Sequence, residues 1–195
     1  MFKVKGYIIG IIEILLFLYG SETLRKYYYP LGNIDTITYF WIMMTILTMY
    51  WECAFICQYD YVADLSNQYI VENKNVWESS FDLSFIIPWK LSPIFYADYA
   101  AYADREYMLK NRDWSRIIEG SHAIFCGLFS TMAIINKKRN LHNKFLITLA
   151  VSMGSQLMNS ILYMCSYFIE LNEPYSINYN SEEFPAGYML YKRPF

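Results

Sequence analysis

Long apolar runs separated by polar, aromatic or basic segments dominate the hydrophobic pattern of this chain. The runs cover residues 6–19, 39–56, 117–135 and 145–169. A helix needs about 20 mostly apolar residues to cross about 30 Å of hydrocarbon, so the last three runs are long enough and the first is marginal. The pattern therefore predicts an all-α, polytopic membrane helix bundle with four transmembrane helices, in a single domain over residues 1–195.

Turn residues and changes in polarity around these runs set the predicted helix boundaries. The predicted helices cover residues 4–19, 36–59, 117–135 and 143–169. Residues 60–116 form the long connection between the second and third helices. Residues 64–80 of this connection are polar and show no sustained apolar period, whereas residues 81–107 are rich in aromatic and charged side chains. The latter composition suits a helix that lies in the membrane interface.

The composition agrees with a membrane location. Apolar residues make up 55% of the chain, charged residues 17%, and the net charge is -2, which is unusual for a soluble domain. No basic stripe or nucleic-acid-binding motif is present, so we expect no nucleic-acid partner. Lys3 and Lys5 precede an apolar stretch as in a signal peptide, but Glu13 interrupts it and no cleavage motif follows. We interpret the segment as a retained first helix.

Cysteine and histidine usage gives no indication of a metal or disulfide framework. The four cysteines lie inside apolar runs without a CxxC pair, so we expect packed thiols. They are Cys53, Cys57, Cys126 and Cys165. With only His122 and His142, the histidine-rich clusters of membrane iron enzymes are excluded. Iron bound by two carboxylates and one histidine is the weaker alternative, and we expect no metal. No phosphate-binding or dinucleotide motif is present.

Basic residues occur in similar numbers on both sides of the predicted spans, so they indicate the orientation of the helices only weakly. The turns after the first and third predicted helices contain Arg25, Lys26, Lys137, Lys138, Arg139 and Lys144. These residues would place both turns in the cytoplasm, because cytoplasmic loops are enriched in Lys and Arg. The segments on the other side contain Lys3, Lys5, Lys110, Arg112 and Arg116. The orientation is therefore only weakly determined.

Ionisable side chains inside the apolar runs are the candidates for a functional site. Such groups are costly in hydrocarbon, so they usually face the bundle interior and mark a site. The candidates are Glu13, Glu52, Glu119 and His122. For Glu13 we favour a position at the helix boundary, where the carboxylate reaches interfacial water. For Glu52 and Glu119, which lie near the ends of their runs, the functional and the boundary interpretations both stay open.

Helical spacing groups these residues with further polar side chains. Thr48 and Glu52 are four residues apart, and Glu119 and His122 are three apart, so each pair shares a helix face. The fourth predicted helix has a polar stripe formed by Gln156, Asn159 and Tyr163. Three polar faces could therefore converge on one apolar-walled cavity. Hydrogen bonding between helices would also account for the amides, and the two interpretations stay open.

Several segments carry a resemblance to a known family. They are YADREYML at 102–109, WSRIIE at 114–119, VSMG at 151–154, Gln156, and ILY at 161–163. In this order and spacing they resemble the emopamil-binding proteins, the sterol Δ8-Δ7 isomerases of the EXPERA superfamily. The resemblance extends over about residues 100–170, and Trp51-Glu52 fits the family's second helix.

The resemblance implies a multi-pass enzyme of the endoplasmic reticulum that shifts a sterol ring double bond without a cofactor. An acid protonates one alkene carbon, a carbocation forms at its neighbour, and a base removes a proton from the next carbon. Glu52 and Glu119 match the two family glutamates and would be the catalytic pair, with His122 assisting. The implied substrate-binding residues are Thr48, Trp51, Gln156, Asn159 and Tyr163. The implied partners are a sterol or cationic amphiphile, membrane lipid and, as an open option, a second copy of the chain.

Two departures from the family pattern leave alternatives open. The family's helix-two histidine falls on Thr48, and its helix-three threonine falls on His122, so these residue types are exchanged between facing helices. The family's fifth helix, with an asparagine and a cation-stabilising tryptophan, would begin near Phe195. We expect a truncated sequence, a four-helix variant, or a partner that completes the pocket. The alternative functions are a non-catalytic sterol or lipophilic-amine binding protein of the same fold, and a structural membrane subunit whose glutamates only pair helices.

Overall fold

The computed structural model describes residues 3–102, 117–118 and 120–170, without the side chains of Tyr163 and residues 166–170. Helices make up most of this part, which confirms the prediction of a mainly helical protein. The elements are β1 Lys3–Lys5, α1 Gly6–Tyr27, α2 Tyr29–Gly32, α3 Thr36–Cys57, α4 Tyr59–Glu72, β2 Ser80–Asp82, a 3₁₀ turn Leu83–Ile86, α5 Pro88–Tyr102, α6 Gly120–Lys138 and α7 His142–Glu170.

Three helices in the described part of the chain are long and apolar enough to cross a membrane. They are Gly6–Tyr27, Thr36–Cys57 and the first 21 residues of α7, His142–Leu162. These helices correspond to the first, second and fourth predicted spans. Helix α6 corresponds to the third predicted span but is not in this set; its 19 residues include His122 and a lysine pair at the end.

Helices α3 and α6 pack closely because glycines of α6 face side chains of α3. A Cβ atom on Gly127 would lie 2.3 Å from Met49 Cβ, and one on Gly120 would lie 2.4 Å from Ile56 Cδ1. Small residues let helices in membranes approach each other at such distances. Because residue 127 meets residue 49 and residue 120 meets residue 56, the two helices run antiparallel. The start of α6 therefore lies beside the end of α3.

Hydroxyl groups join α6 to α7 in the bundle interior. Ser152 Oγ donates to the Cys126 carbonyl at 2.9 Å and lies 2.9 Å from Ser130 Oγ. Ser130 and Ser152 are fully buried. Helix α6 therefore packs against both α3 and α7.

Residues 64–72, in which the sequence showed no sustained apolar period, belong to helix α4. Five residues of this helix share one buried face. They are Tyr59, Val62, Ala63, Ser66 and Tyr69. Their spacing is helical, but Tyr and Ser weaken the apolar signal, Asp60 and Asp64 lie between them in the sequence, and Glu72 follows them. Packing of this face against α5 stabilises the helical conformation of the segment.

Helix α5 forms within the stretch for which an interfacial helix was predicted, but it is buried on most sides. Small residues, including Ser92, Ala97 and Ala101, let it pack against both α3 and α4. Pro93 removes the donor that would bond the Trp89 carbonyl in a regular helix. Gln58 Nε2 donates to that carbonyl instead, at 3.0 Å. The proline is thus accommodated inside the helix.

A short sheet covers the start of α1. Strands β1 and β2 pair antiparallel, with Val4 opposite Phe81. A Cβ on Gly6 would lie 2.1 Å from the Val76 carbonyl oxygen, so only glycine allows this approach. Asp98 Oδ2 of α5 accepts a hydrogen bond from the Val76 amide at 2.6 Å. Asp98 therefore anchors the segment before β2 to the bundle.

Candidate functional site

Glu52 is the ionisable side chain at the centre of the candidate site. It lies near the C-terminal end of α3, and only 6% of its surface is exposed. The Tyr96 hydroxyl of α5 donates to Glu52 Oε1. Glu52 Oε2 is also buried, and it has no hydrogen-bond partner within the described residues. An unmatched polar atom is costly inside a protein, so this oxygen is a point at which a ligand or proton can be accepted.

The start of α6 lies directly beside this carboxyl group. A Cβ on Gly120 would lie 3.8 Å from Glu52 Oε2, which is ordinary van der Waals contact. The second predicted catalytic residue, Glu119, precedes Gly120 in the chain but lies outside the described residues. The predicted Glu52–Glu119 pairing therefore stays a prediction, supported by the position of the neighbouring glycine.

A second buried carboxyl group belongs to α1 and is bonded to Trp51, the residue before Glu52 in α3. Glu13 of α1 is 4% exposed, and its Oε1 accepts a hydrogen bond from Trp51 Nε1 at 3.0 Å. The Trp51 ring also packs against Phe95, with 6.1 Å between ring centroids. The position that we favoured for Glu13, at the boundary and within reach of water, is not the one found. The difference arises from the tertiary structure, because the packing of α1 brings the Glu13 side chain to the indole of Trp51 in α3.

The hydrogen bonds that the structure shows for Thr48 and His122 do not involve the Glu52 carboxyl group. Thr48 is exposed, and its hydroxyl donates to the Met44 carbonyl of its own helix at 3.0 Å. His122 is half-buried, with Nε2 3.3 Å from Cys126 Sγ one turn later. The predicted assistance of Glu119 by His122 involves a residue outside the described part, and it stays a prediction.

One residue of the α7 polar stripe, Gln156, contacts α3 two helical turns before Glu52. Gln156 Nε2 donates to Thr45 Oγ1 at 3.3 Å. Thr45 is buried and lies seven residues before Glu52, which places both on one face of α3. Asn159 is half-buried on α7, and the Tyr163 side chain lies outside the described residues. Helices α3 and α7 thus share a polar contact, although Thr45 takes the position predicted for Thr48.

Sequence reasoning missed two contributors to the site. Tyr96 was assigned to an interfacial helix, and no local pattern links it to a glutamate 44 residues earlier. Thr45 could have been found, because a spacing of seven residues keeps it closer to the Glu52 face than a spacing of four keeps Thr48. The ring stack of Tyr96 on Phe55, with centroids 4.6 Å apart, further surrounds the carboxyl with aromatic surface.

Comparisons with known proteins give no match to this chain. No family model, no curated protein and no solved structure matches it. The resemblance to the emopamil-binding proteins therefore stays a prediction from the motifs.

The chemistry of the described site is that of carboxyl and hydroxyl groups. No group of three His, Cys, Asp or Glu side chains that could hold a metal ion occurs among the described residues. All four cysteines are free thiols, but only Cys126 is buried, whereas Cys57 and Cys165 are exposed on their helices. The prediction that all four pack inside the bundle is thus wrong for those two. The described side chains can exchange protons, accept hydrogen bonds and pair with a cation.

Proposed function

We propose that this protein is a sterol Δ8-Δ7 isomerase-like membrane protein of the endoplasmic reticulum. The observation that carries the proposal is the buried Glu52 carboxyl group, with one oxygen held by Tyr96 and the other next to the first residue of α6. In this proposal the second carboxyl group is that of Glu119, the residue before Gly120 in the chain. The proposal includes a fourth span at α6, because that helix has to bring Glu119 to the depth of Glu52.

The two carboxyl groups account for the reaction without a cofactor. The protonated carboxyl donates its proton to one carbon of the ring double bond, which leaves a carbocation on the other carbon. The carboxylate removes a proton from the next ring carbon, and the electron pair of that C–H bond forms the shifted double bond. The site then holds the same number of protons as before. Apolar and aromatic walls keep water from trapping the cation.

Tyr96 and Gln156 have supporting roles in this proposal. The hydrogen bond from Tyr96 fixes one Glu52 oxygen, so that the other points to the reacting carbons. Gln156 ties α7 to α3 through Thr45 and helps to set the width of the space between them. Thr48, Trp51, Asn159 and the Tyr163 position complete the proposed sterol-binding residues.

The experiment is complementation of a cell that lacks sterol Δ8-Δ7 isomerase, with sterols measured by mass spectrometry. We expect the wild-type chain to convert Δ8 to Δ7 sterols and Glu52→Gln to lower the conversion about 100-fold or more, since a general acid or base contributes 10²–10⁴-fold. Asp98→Asn is the control, because it makes the same carboxyl-to-amide change at a buried residue whose hydrogen bonds, from Val76 and Trp77, involve none of the proposed site residues. It should keep the conversion of the wild type. Expression without any Δ8 to Δ7 conversion would contradict the isomerase proposal.

A second function, non-catalytic binding of sterols or lipophilic amines, is favoured by the rings around Glu52. Phe55 and Tyr96 are stacked beside the carboxyl group, and Trp51 precedes it in the chain. A carboxylate bordered by aromatic faces suits a protonated amine. Saturable binding of a radiolabelled lipophilic tertiary amine, lost in Glu52→Gln and kept in Asp98→Asn, together with absent isomerisation would support this function. Absence of both activities would leave a structural role for the glutamates.

A further inference from the structure

Basic side chains gather at one end of the bundle. Helices α1 and α6 end there and α3 and α7 begin there, while α2 packs against α6. We call this group the basic rim. It consists of Arg25, Lys26, Lys137, Lys138, Arg139 and Lys144. Sequence alone placed these residues in two separate turns, and the fold brings the turns together.

Cation–π contacts hold the two turns against each other. Lys138 Nζ lies 3.9 Å from the centre of the Tyr28 ring, and Lys137 Nζ lies 5.0 Å from the centre of the Phe145 ring. Both rings belong to one apolar cluster at this end of the bundle. The lysines of α6 are thus held near both the α1–α2 turn and the start of α7.

The few carboxylates near the rim are already engaged. Glu22 lies 3.8 Å from both Arg25 and Lys26, and Asp35 accepts a hydrogen bond from the Thr38 amide at 2.9 Å. Arg25 also donates to the Ile34 carbonyl at 2.7 Å. In the part of the chain that the structure describes, no ion pair involves the other four cations. These are Lys137, Lys138, Arg139 and Lys144.

The opposite end of the described bundle has a different charge balance. It includes the β1–β2 sheet and helix α4, next to the start of α1 and the end of α3. Its described acidic residues are Asp60, Asp64, Glu72, Glu78 and Asp82, and its described basic residues are Lys3, Lys5, Lys74 and Lys90. Among the residues that the structure describes, the excess of positive charge therefore lies at the rim.

We propose that the basic rim binds the phosphate groups of anionic phospholipids at the membrane surface. The rim lies at the ends of three helices that are long and apolar enough to span a bilayer, α1, α3 and the first part of α7. Tyr27 and Tyr29, which are 78% and 81% exposed, occupy the same turn, and tyrosine is enriched at the level of lipid headgroups. Clusters of four or more Lys and Arg next to a span attract anionic lipids of the cytoplasmic leaflet. A lipid phosphate fits this position better than a free anion, since apolar helix surface continues directly below the rim.

The test measures which lipids the purified full chain retains. The protein in detergent is mixed with equal amounts of dioleoyl phosphatidylserine and dioleoyl phosphatidylcholine, excess lipid is removed, and bound lipid is quantified by mass spectrometry. We expect an enrichment of phosphatidylserine of about fivefold or more, which falls toward parity in the variant Lys137→Gln, Lys138→Gln, Arg139→Gln, Lys144→Gln. The matched control neutralises Lys3, Lys5, Lys74 and Lys90 and should keep the enrichment.

Two further measurements test whether the binding is electrostatic and whether it requires a lipid. For the wild-type chain, about 0.5 M NaCl should reduce the enrichment by screening, which tests the electrostatic basis even if the rim variant does not fold. An excess of inorganic phosphate at matched ionic strength should leave the enrichment unchanged beyond the effect of salt. Equal enrichment in the rim variant and the wild type, equal loss in both variants, or specific displacement by inorganic phosphate would overturn the proposal.

Discussion

The substitution Gly127→Ala should weaken the packing of α6 on α3. The added Cβ would lie 2.3 Å from Met49 Cβ and 2.8 Å from its Cγ and Sδ. Carbon atoms in contact prefer about 3.5–4.0 Å, so the helices must separate by roughly 1 Å. Met49 Cβ is fixed to the backbone of α3, and no rotamer change can remove it. Overpacking of this kind costs about 1–3 kcal/mol of unfolding free energy.

Thermal unfolding of the purified protein in detergent, followed by tryptophan fluorescence, measures this loss. A change of 1 kcal/mol shifts the midpoint by about 2–4 °C in a chain of this length, so we expect a decrease of roughly 2–12 °C. Gly120→Ala should cost less, because its closest neighbour is the end of the Ile56 side chain, which can rotate away. Gly154→Ala is the control, since a Cβ there meets nothing within 4 Å. It should be neutral or slightly stabilising, because Ala favours a helix over Gly.

An unchanged midpoint in Gly127→Ala, with Gly154→Ala behaving as expected, would refute the close approach of α3 and α6. The consequence would reach the candidate site, since the same approach places Gly120 beside Glu52. The proposed meeting of Glu52 and Glu119 would then lose its structural support.

Two other predictions concern buried carboxyl groups. Trp51→Phe keeps most of the ring but removes the donor to Glu13, so we expect the free energy of unfolding to fall by about 1–3 kcal/mol. A double-mutant cycle with Glu13→Gln should give a non-zero coupling energy. Additive effects of the two substitutions would contradict the hydrogen bond between Trp51 and Glu13. Burial raises the pKa of Asp98, which is 3.8 in an ordinary environment, although its hydrogen bonds from Val76 and Trp77 act in the opposite direction. The folded chain therefore binds this proton more tightly than the unfolded chain, so the stability contribution is present below about pH 4 and is lost as the pH rises through the folded pKa. Asp98→Asn should flatten this part of the stability profile measured by thermal unfolding from pH 4 to 8, and an unchanged slope would contradict the assignment.

The sequence alone determined the helical character and the positions of three apolar helices. Hydrophobic runs long enough to span a bilayer are a local property, so their detection required no knowledge of contacts. It also marked Glu52 as a candidate ionisable group, but left open whether this carboxyl group lies at a site or at the helix boundary. Helix ends were less well determined, because α1 continues to Tyr27, where Tyr39 of α3 stabilises its last turns by donating to the Ser21 carbonyl at 2.6 Å.

The tertiary structure decided which side chains meet. Tyr96 reaches Glu52 across 44 residues, and Trp51 reaches Glu13 across 38 residues, and no local period encodes either pairing. It also packed α5 against α3 and α4, whereas the predicted position of this helix in the membrane interface stays a prediction. Small residues allow this close packing of α5, but a hydrophobicity pattern does not reveal their role. Sequence thus named Glu52 as a candidate, whereas only the packing of α3, α5 and α6 buried this side chain and determined its neighbours. Contacts between distant segments depend on how whole helix faces fit together.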